Sequence, residues 1–327
     1  MPPEAARVRY WPRPLQKGGT IGICSPAGVS TSEKLDDAAH VLRSRGYGVV
    51  VTPHAAAVHP ELSYLAGTED NRAADLNALL RDPAIDLILC ARGGFGSGKL
   101  LDTLDYAAIR ADPKPLVGYS DITALSLGIL AQTGVVTFSG IMATAGSGFG
   151  EDTLDAWSEA SFWQAVGDAA PFPRVMERPP DSPAWDIVRS DTAIVSGPVI
   201  PVCFSLLLSL WGTPYVPDLT GAILVIEDVH EELYAIDRFL TQLRLAGALD
   251  KLAAILVGSF NGTTDEENEK LKRDVPHLCV AHAPPTVTIA SGVAYGHIPR
   301  RLTLPVGASA TVDLHQGTFT FDNPRAA

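Results

Sequence analysis

The sequence predicts an α/β protein of about two domains. Three observations carry this. Strand-like and helix-like segments alternate through the first half, the second half is richer in strands, and the chain has 327 residues, against roughly 150 per domain. Alternation of this kind implies a parallel sheet covered by helices on both faces. Ligands bind such sheets beyond the carboxyl ends of the strands.

The elements follow in order. TIGICSP (20–26) is an apolar strand ending in a proline turn. Leu35, Ala38, Ala39 and Leu42 set one face of a helix over 32–45, by the 3.6-residue period. YGVVVTP (47–53) is a second strand, and Ala74, Leu76, Leu79 and Leu80 mark a helix over 71–81. AIDLILCAR (84–92), LVGYS (116–120) and VVTFSG (135–140) complete five strands. Residues 151–184 are rich in Gly, Pro and acidic residues and read as a connector, with one short helix near 156–166. This gives an N-terminal α/β domain over 1–150 and a C-terminal β/α domain over 185–327. The latter holds one good helix (235–245) and ends in short antiparallel strands.

Composition bounds the function. Hydrophobic residues make up 46% of the chain and net charge is −12. So acidic a chain is a poor partner for nucleic acid or an anionic membrane. Cys24, Cys90, Cys203 and Cys279 sit in apolar stretches without CxxC spacing, and read as buried small hydrophobes. No apolar signal-peptide core is present near the start, and the greasy run 195–211 is broken by Gly197, Pro198 and Pro201. The expected setting is cytoplasmic.

Four segments could carry chemistry. ARGGFGSGKLL (91–101) approaches a P-loop through Gly93, Gly98 and Lys99, but Leu100 stands where Ser or Thr should hold magnesium. It also reads as a tight turn, or as a loop whose Gly93 and Gly94 let amides approach a substrate oxygen. Ser120-Asp121 joins an apolar strand to a helix, the layout of a nucleophile elbow, although Ile122 replaces the second glycine of G-x-S-x-G. Ser and Asp are also favoured N-caps. Glu227 ends an apolar strand, where a carboxylate needs a partner, in a loop shared with Asp228, Glu231 and Glu232. His297 sits between a glycine and Ile298-Pro299, in a loop that could present a base. His230 is a weaker rival, His40 and His315 read as surface residues, and Asp237-Arg238 reads as a charge pair. No zinc-type HExxH spacing occurs.

Together, LQKGGTIGICSPAG, YLAGTEDNRAADLNALL, ARGGFGSGKLLDTLDY, PKPLVGYSDITAL, LVIEDVHEELYAIDR and GHIPRRLTLPVG resemble the LD-carboxypeptidases of peptidase family S66. That family includes cytoplasmic enzymes that remove the terminal D-alanine of murein tetrapeptides, and the microcin-C immunity peptidases. The resemblance implies a flavodoxin-like N-terminal sheet, a swivelling-type C-terminal domain, homodimers, a small peptide substrate, and no cofactor or metal. It places a catalytic triad on Ser120, Glu227 and His297. The expected oxyanion donors are the amides of Gly94 and Asp121. Arg92 and Gly93 are expected near the substrate carboxylate, and Trp185 is a candidate for stacking on a substrate ring. One segment departs: Pro201, Val202 and Cys203 replace the family's Gly-Gly-Asn, which opens the substrate choice between a murein peptide and an aminoacyl-nucleotide conjugate. A non-catalytic peptide or nucleotide binder is the reading of another class.

Overall fold

The computed structural model describes residues 9–145, 148–150, 154–168 and 172–322. In the first half, β1 (Thr20–Cys24), α1 (Ser32–Ser44), β2 (Gly48–Val51), α2 (Glu69–Arg81), β3 (Leu87–Cys90), α3 (Tyr106–Ala111), β4 (Leu116–Val117), α4 (Thr123–Thr133) and β5 (Thr137–Ser139) follow one another. The five strands are parallel in the order β2-β1-β3-β4-β5, which is the flavodoxin-like order. All four residues of β3 are buried, as a central strand covered on both faces requires. The α1 helix buries Leu35, Ala38, Ala39 and Leu42, the face its spacing dictates, and Thr31 caps it by accepting from Lys34 N. Thr68 caps α2 in the same way, so that helix starts at Glu69, ahead of the expected 71.

The second half comprises α5 (Ala156–Val166), β6 (Arg174–Glu177), β7 (Asp186–Arg189), β8 (Ile194–Cys203), α6 (Phe204–Ser209), β9 (Ile223–Val229), α7 (Leu233–Leu245), β10 (Ala254–Asn261), α8 (Asp265–His282), β11 (Thr288–Ser291), β12 (Leu304–Val306), β13 (Ser309–Asp313) and β14 (Thr318–Phe321). A second sheet runs β6-β14-β13-β8-β9-β10-β11-β7. Its centre, β8 to β11, is parallel, and antiparallel strands flank it on both sides. One apolar cluster holds Leu125 of α4, Phe204 and Leu207 of α6, Ile200 of β8 and Ile226 of β9. The two sheets therefore share a core. Each such fully buried side chain contributes about 1.5–3 kcal/mol.

Several elements depart from the sequence reading. The stretch 151–184 is more than a connector, because β6 within it pairs with β14 at the edge of the second sheet. Residues 151–153 and 169–171 of that stretch lie outside the described residues. An 18-residue helix, α8, stands where no helix was expected. Pro276 lies inside it, and its first half is highly charged, which masks the helical pattern. A capping box, Thr264 with Glu267, fixes its start. Finally, β12 leaves the second half of the chain and pairs antiparallel with β5, through Leu304↔Ser139, Pro305↔Phe138 and Val306↔Thr137. Asp237 and Arg238 are not a pair: Asp237 meets His282 Nε2 at 2.7 Å, and Arg238 lies over the Tyr234 ring.

Candidate active site

The site is assembled where strand ends of both sheets meet. Ser120 follows β4 and opens a short 3-10 turn, Ser120–Ile122, that leads into α4. Its φ is +63°, the left-handed region that costs a side-chain-bearing residue of order 1–2 kcal/mol. A sharp, strained turn of this kind lifts a serine hydroxyl clear of the strand end. Gly93 must be glycine for this to fit: a Cβ there would lie 2.8 Å from Ser120 Cβ and 3.0 Å from its Oγ.

The partners come from the second sheet. Glu227 lies in β9, opposite Cys203 of β8, and is completely buried. His297 lies in the loop between β11 and β12, after Gly296, whose φ is +121°. His297 Nδ1 is 2.7 Å from Glu227 Oε2, and His297 Nε2 is 3.0 Å from Ser120 Oγ. The imidazole thus bridges a carboxylate of one sheet and a hydroxyl at the end of the other. Asn261 Nδ2 donates to His297 O at 2.8 Å, and the Tyr119 ring meets the imidazole edge-on at 5.0 Å. The Arg301 guanidinium lies over Tyr119, 4.4 Å from the ring centroid. The loop is also tied to β5, where the hydroxyls of Ser139 and Tyr295 are 2.7 Å apart.

Burial pushes the Glu227 carboxyl above its ordinary range. The His297 hydrogen bond opposes that shift, and neighbouring Asp228 adds to it. A buried carboxylate of this kind is stabilised chiefly when its histidine carries the proton. Asp228, also buried, accepts from Ser205 N at 2.6 Å and from Val229 N at 2.9 Å, so it holds the first turn of α6.

The predicted residues fall as follows. Ser120, Glu227 and His297 converge. Gly94 has a φ of +109°, and the Asp121 amide nitrogen lies 3.3 Å from where a Cβ on Gly93 would stand. The Asp121 side chain accepts from Ser97 N at 2.8 Å while Ser97 Oγ donates to Asp121 O at 2.6 Å. That clamp fixes the Gly-rich loop to the serine turn, and burial raises the Asp121 carboxyl above its usual range. Arg92 is exposed and donates to Val29 O at 3.2 Å. Trp185 does not line the site. It is 5% exposed and packs edge-on against Phe319, so it offers no open face for stacking.

The substituted Pro201, Val202 and Cys203 are buried residues of β8. Pro201 lies beyond the last residue of β8 that pairs with β13, where its missing N–H breaks no ladder on that side. Cys203 N donates to Thr123 Oγ1 at 3.1 Å, and its thiol is pushed well above the ordinary range by burial. Lys99 turns to Glu69 at 2.6 Å on the surface, and only a four-residue 3-10 turn, Ser97–Leu100, follows the Gly-rich loop. His230 is exposed and its amide bonds Asn261 O.

Sequence reasoning missed the Asp121 clamp and buried Arg72, which donates to Pro26 O at 2.7 Å and to Gly96 O at 2.8 Å. It also missed Asn261. The signal for Asp121 was its place after Ser120, which reads equally as a cap. Neither of the others carries a local signal.

Comparison with known proteins decides the family. The LD-carboxypeptidase N-terminal domain model matches residues 21–140, and the C-terminal domain model matches 196–312. The chain belongs to the LD-carboxypeptidase family. The N-terminal match takes in the Gly-rich loop and Ser120, and the C-terminal match takes in Glu227 and His297. A relative from Bacillus subtilis named "Probable murein peptide carboxypeptidase" is 34% identical, with 96% of this chain and 95% of that protein covered. The Microcin C7 self-immunity protein MccF of Escherichia coli is 30% identical, with 92% of each covered. Among solved structures, MccF in complex with glutamyl sulfamoyl guanosine has a TM-score of 0.81 at 26% identity, with 95% of this chain and 98% of that chain covered. Membership makes this LD-carboxypeptidase relative a peptidase-family protein. Among its described residues, no helix is long and apolar enough to cross a membrane.

Proposed function

We propose that the protein is a serine-type carboxypeptidase that hydrolyses an amide bond near the C-terminus of a small peptide. The L,D bond that releases D-alanine from a murein tetrapeptide is the foremost candidate. One observation carries the reading: an unbroken hydrogen-bonded chain from Ser120 Oγ through both nitrogens of His297 to Glu227. In this reading it works in the cytoplasm as a homodimer, in peptidoglycan recycling.

The geometry supports the following roles in this reading. His297 Nε2 takes the Ser120 proton as Oγ attacks the scissile carbonyl. Glu227 fixes the Nδ1–H tautomer and stabilises the imidazolium that forms. The amides of Gly94 and Asp121 receive the oxyanion, each lowering the barrier by about 3–4 kcal/mol. The imidazolium then protonates the leaving amine, the C–N bond breaks, and an acyl-enzyme remains on Ser120. Water, deprotonated by His297, attacks that ester and restores the hydroxyl. Arg92, exposed beside the Gly-rich loop, is the candidate for the substrate's terminal carboxylate, with Gly93 leaving room beside Ser120.

The likeness to MccF supports a second reading, cleavage of an aminoacyl-nucleotide conjugate. Mass spectrometry of products separates them. Wild type and Ser120→Ala are incubated with a murein tetrapeptide and with an aminoacyl sulfamoyl nucleoside. Loss of D-alanine with wild type alone supports the first reading, and cleavage of the conjugate alone supports the second. Binding of either without turnover makes the protein a binder, and equal turnover by Ser120→Ala removes the serine mechanism.

A further inference from the structure

Glu227 has two carboxylate oxygens, and His297 Nδ1 engages Oε2 alone. Oε1 is buried and has no hydrogen-bond partner. Such an oxygen is costly when ionised. A second orphan lies close by: the Ser259 hydroxyl is also buried and has neither donor nor acceptor. Ser259 sits on β10, where the pairing with β9 slips between Val257 and Phe260. A bulge at a site rim re-aims a side chain, and this one falls beside Glu227. Both groups border one small space. A Cβ built on Gly296 would stand 2.5 Å from Ser259 Oγ, 2.8 Å from Glu227 Cβ and 2.9 Å from Glu227 Oε2. Ser259 N donates to Tyr295 O at 2.9 Å, which anchors the serine backbone to the histidine loop.

We propose that Ser259 is a positioning residue of the site: its hydroxyl, unbonded in the arrangement described, reaches the Glu227 carboxylate by rotation about its Cα–Cβ bond within the space that Gly296 leaves open. It thereby holds that carboxylate ionised and aligned on His297. The inference rests on the triad reading given above. Titratable groups facing Glu227 come from several elements: Asp228 on its own strand, His297 and Tyr295 from the loop after β11, Cys203 from β8 and Tyr119 from the serine turn. Asp228, Cys203 and both tyrosines disfavour the ionised carboxylate or do nothing for it. The His297 backbone amide favours it, and the Ser259 hydroxyl is a second neutral donor within reach.

The test is the pH profile of kcat/KM on a cleaved peptide for wild type, Ser259→Ala and Ser259→Thr, with Ser120→Ala as control. Removing a hydrogen bond to the carboxylate makes the Glu227–His297 pair more basic. The acid limb is therefore expected to move up by about one pH unit in Ser259→Ala. The threonine variant, which keeps the hydroxyl, returns the limb to the wild-type position. In a Glu227→Gln background, Ser259→Ala adds no further shift. A Ser259→Ala profile that superimposes on wild type overturns the proposal, as does an equal shift in the alanine and threonine variants, which marks packing. If Ser120→Ala keeps turning over, the triad reading falls and this inference falls with it, a result distinct from either.

Discussion

The two halves of the site are held in place by opposite means. On the first sheet, Ser120 is presented by backbone shape: a left-handed φ, a glycine with no room for a Cβ, and a clamp from Asp121 to Ser97. On the second sheet, Glu227 and His297 are ordinary in conformation or nearly so, and burial and hydrogen bonding hold them. The first half carries conformational strain and the second an electrostatic cost. Folding supports both because the sheets share one apolar core. Substitutions should therefore behave differently on the two sides.

The largest expected effect is Ser120→Ala, with kcat/KM reduced by about 10⁴-fold or more and the melting temperature little changed. A residual rate near wild type would remove the distinction altogether. Glu227→Gln comes next, with a loss of about 10²–10⁴-fold accompanied by a gain in stability at neutral pH. Burial raises the Glu227 pKa, so its favourable contribution is present below the ordinary glutamate range and is lost as pH rises through the raised value. The glutamine variant should thus match wild type near pH 4 and melt higher at pH 8, and a denaturation series across pH checks the sign.

Gly93→Ala should cut activity about 10²-fold, by pressing a Cβ onto Ser120, and cost about 1–3 kcal/mol of stability. If activity fell with no change in stability, the strain account of the first half would be wrong. The smallest effect is Lys99→Ala. It breaks an exposed pair with Glu69 and should change turnover less than twofold and stability by no more than about 1 kcal/mol. A large loss there would revive a phosphate-binding role for the Gly-rich loop.

Much of the first half was legible because its signals are local. The period of α1, the strand at β3 and the serine turn each lie within a dozen residues. The second half was less legible for the converse reason. The β6 strand is short, lies among prolines and is defined by pairing with β14 far along the chain. α8 is obscured by Pro276 and its charged first half, although Thr264 and Glu267 spell its cap. Trp185 looked available because aromatic exposure cannot be read from one position, and the fold places the ring against Phe319. The Ser120, Glu227 and His297 positions were recoverable by resemblance, whereas Ser259 and Asn261 lie in places that only the strand pairing brings to the site.

The pairing of β12 with β5 has a mechanical meaning. The histidine loop leaves the second sheet at β11, yet both its flanks are fastened to Ser139 of β5, by Tyr295 on one side and Leu304 on the other. The loop is therefore a bracket bolted to the sheet that carries Ser120. If the sheets slide against each other, the imidazole rides with Ser120 and the Nε2–Oγ spacing is kept. The load falls instead on the links back to the second sheet: Nδ1 to Glu227, Asn261 to the His297 carbonyl and Ser259 N to the Tyr295 carbonyl, which together are the fuse of the assembly.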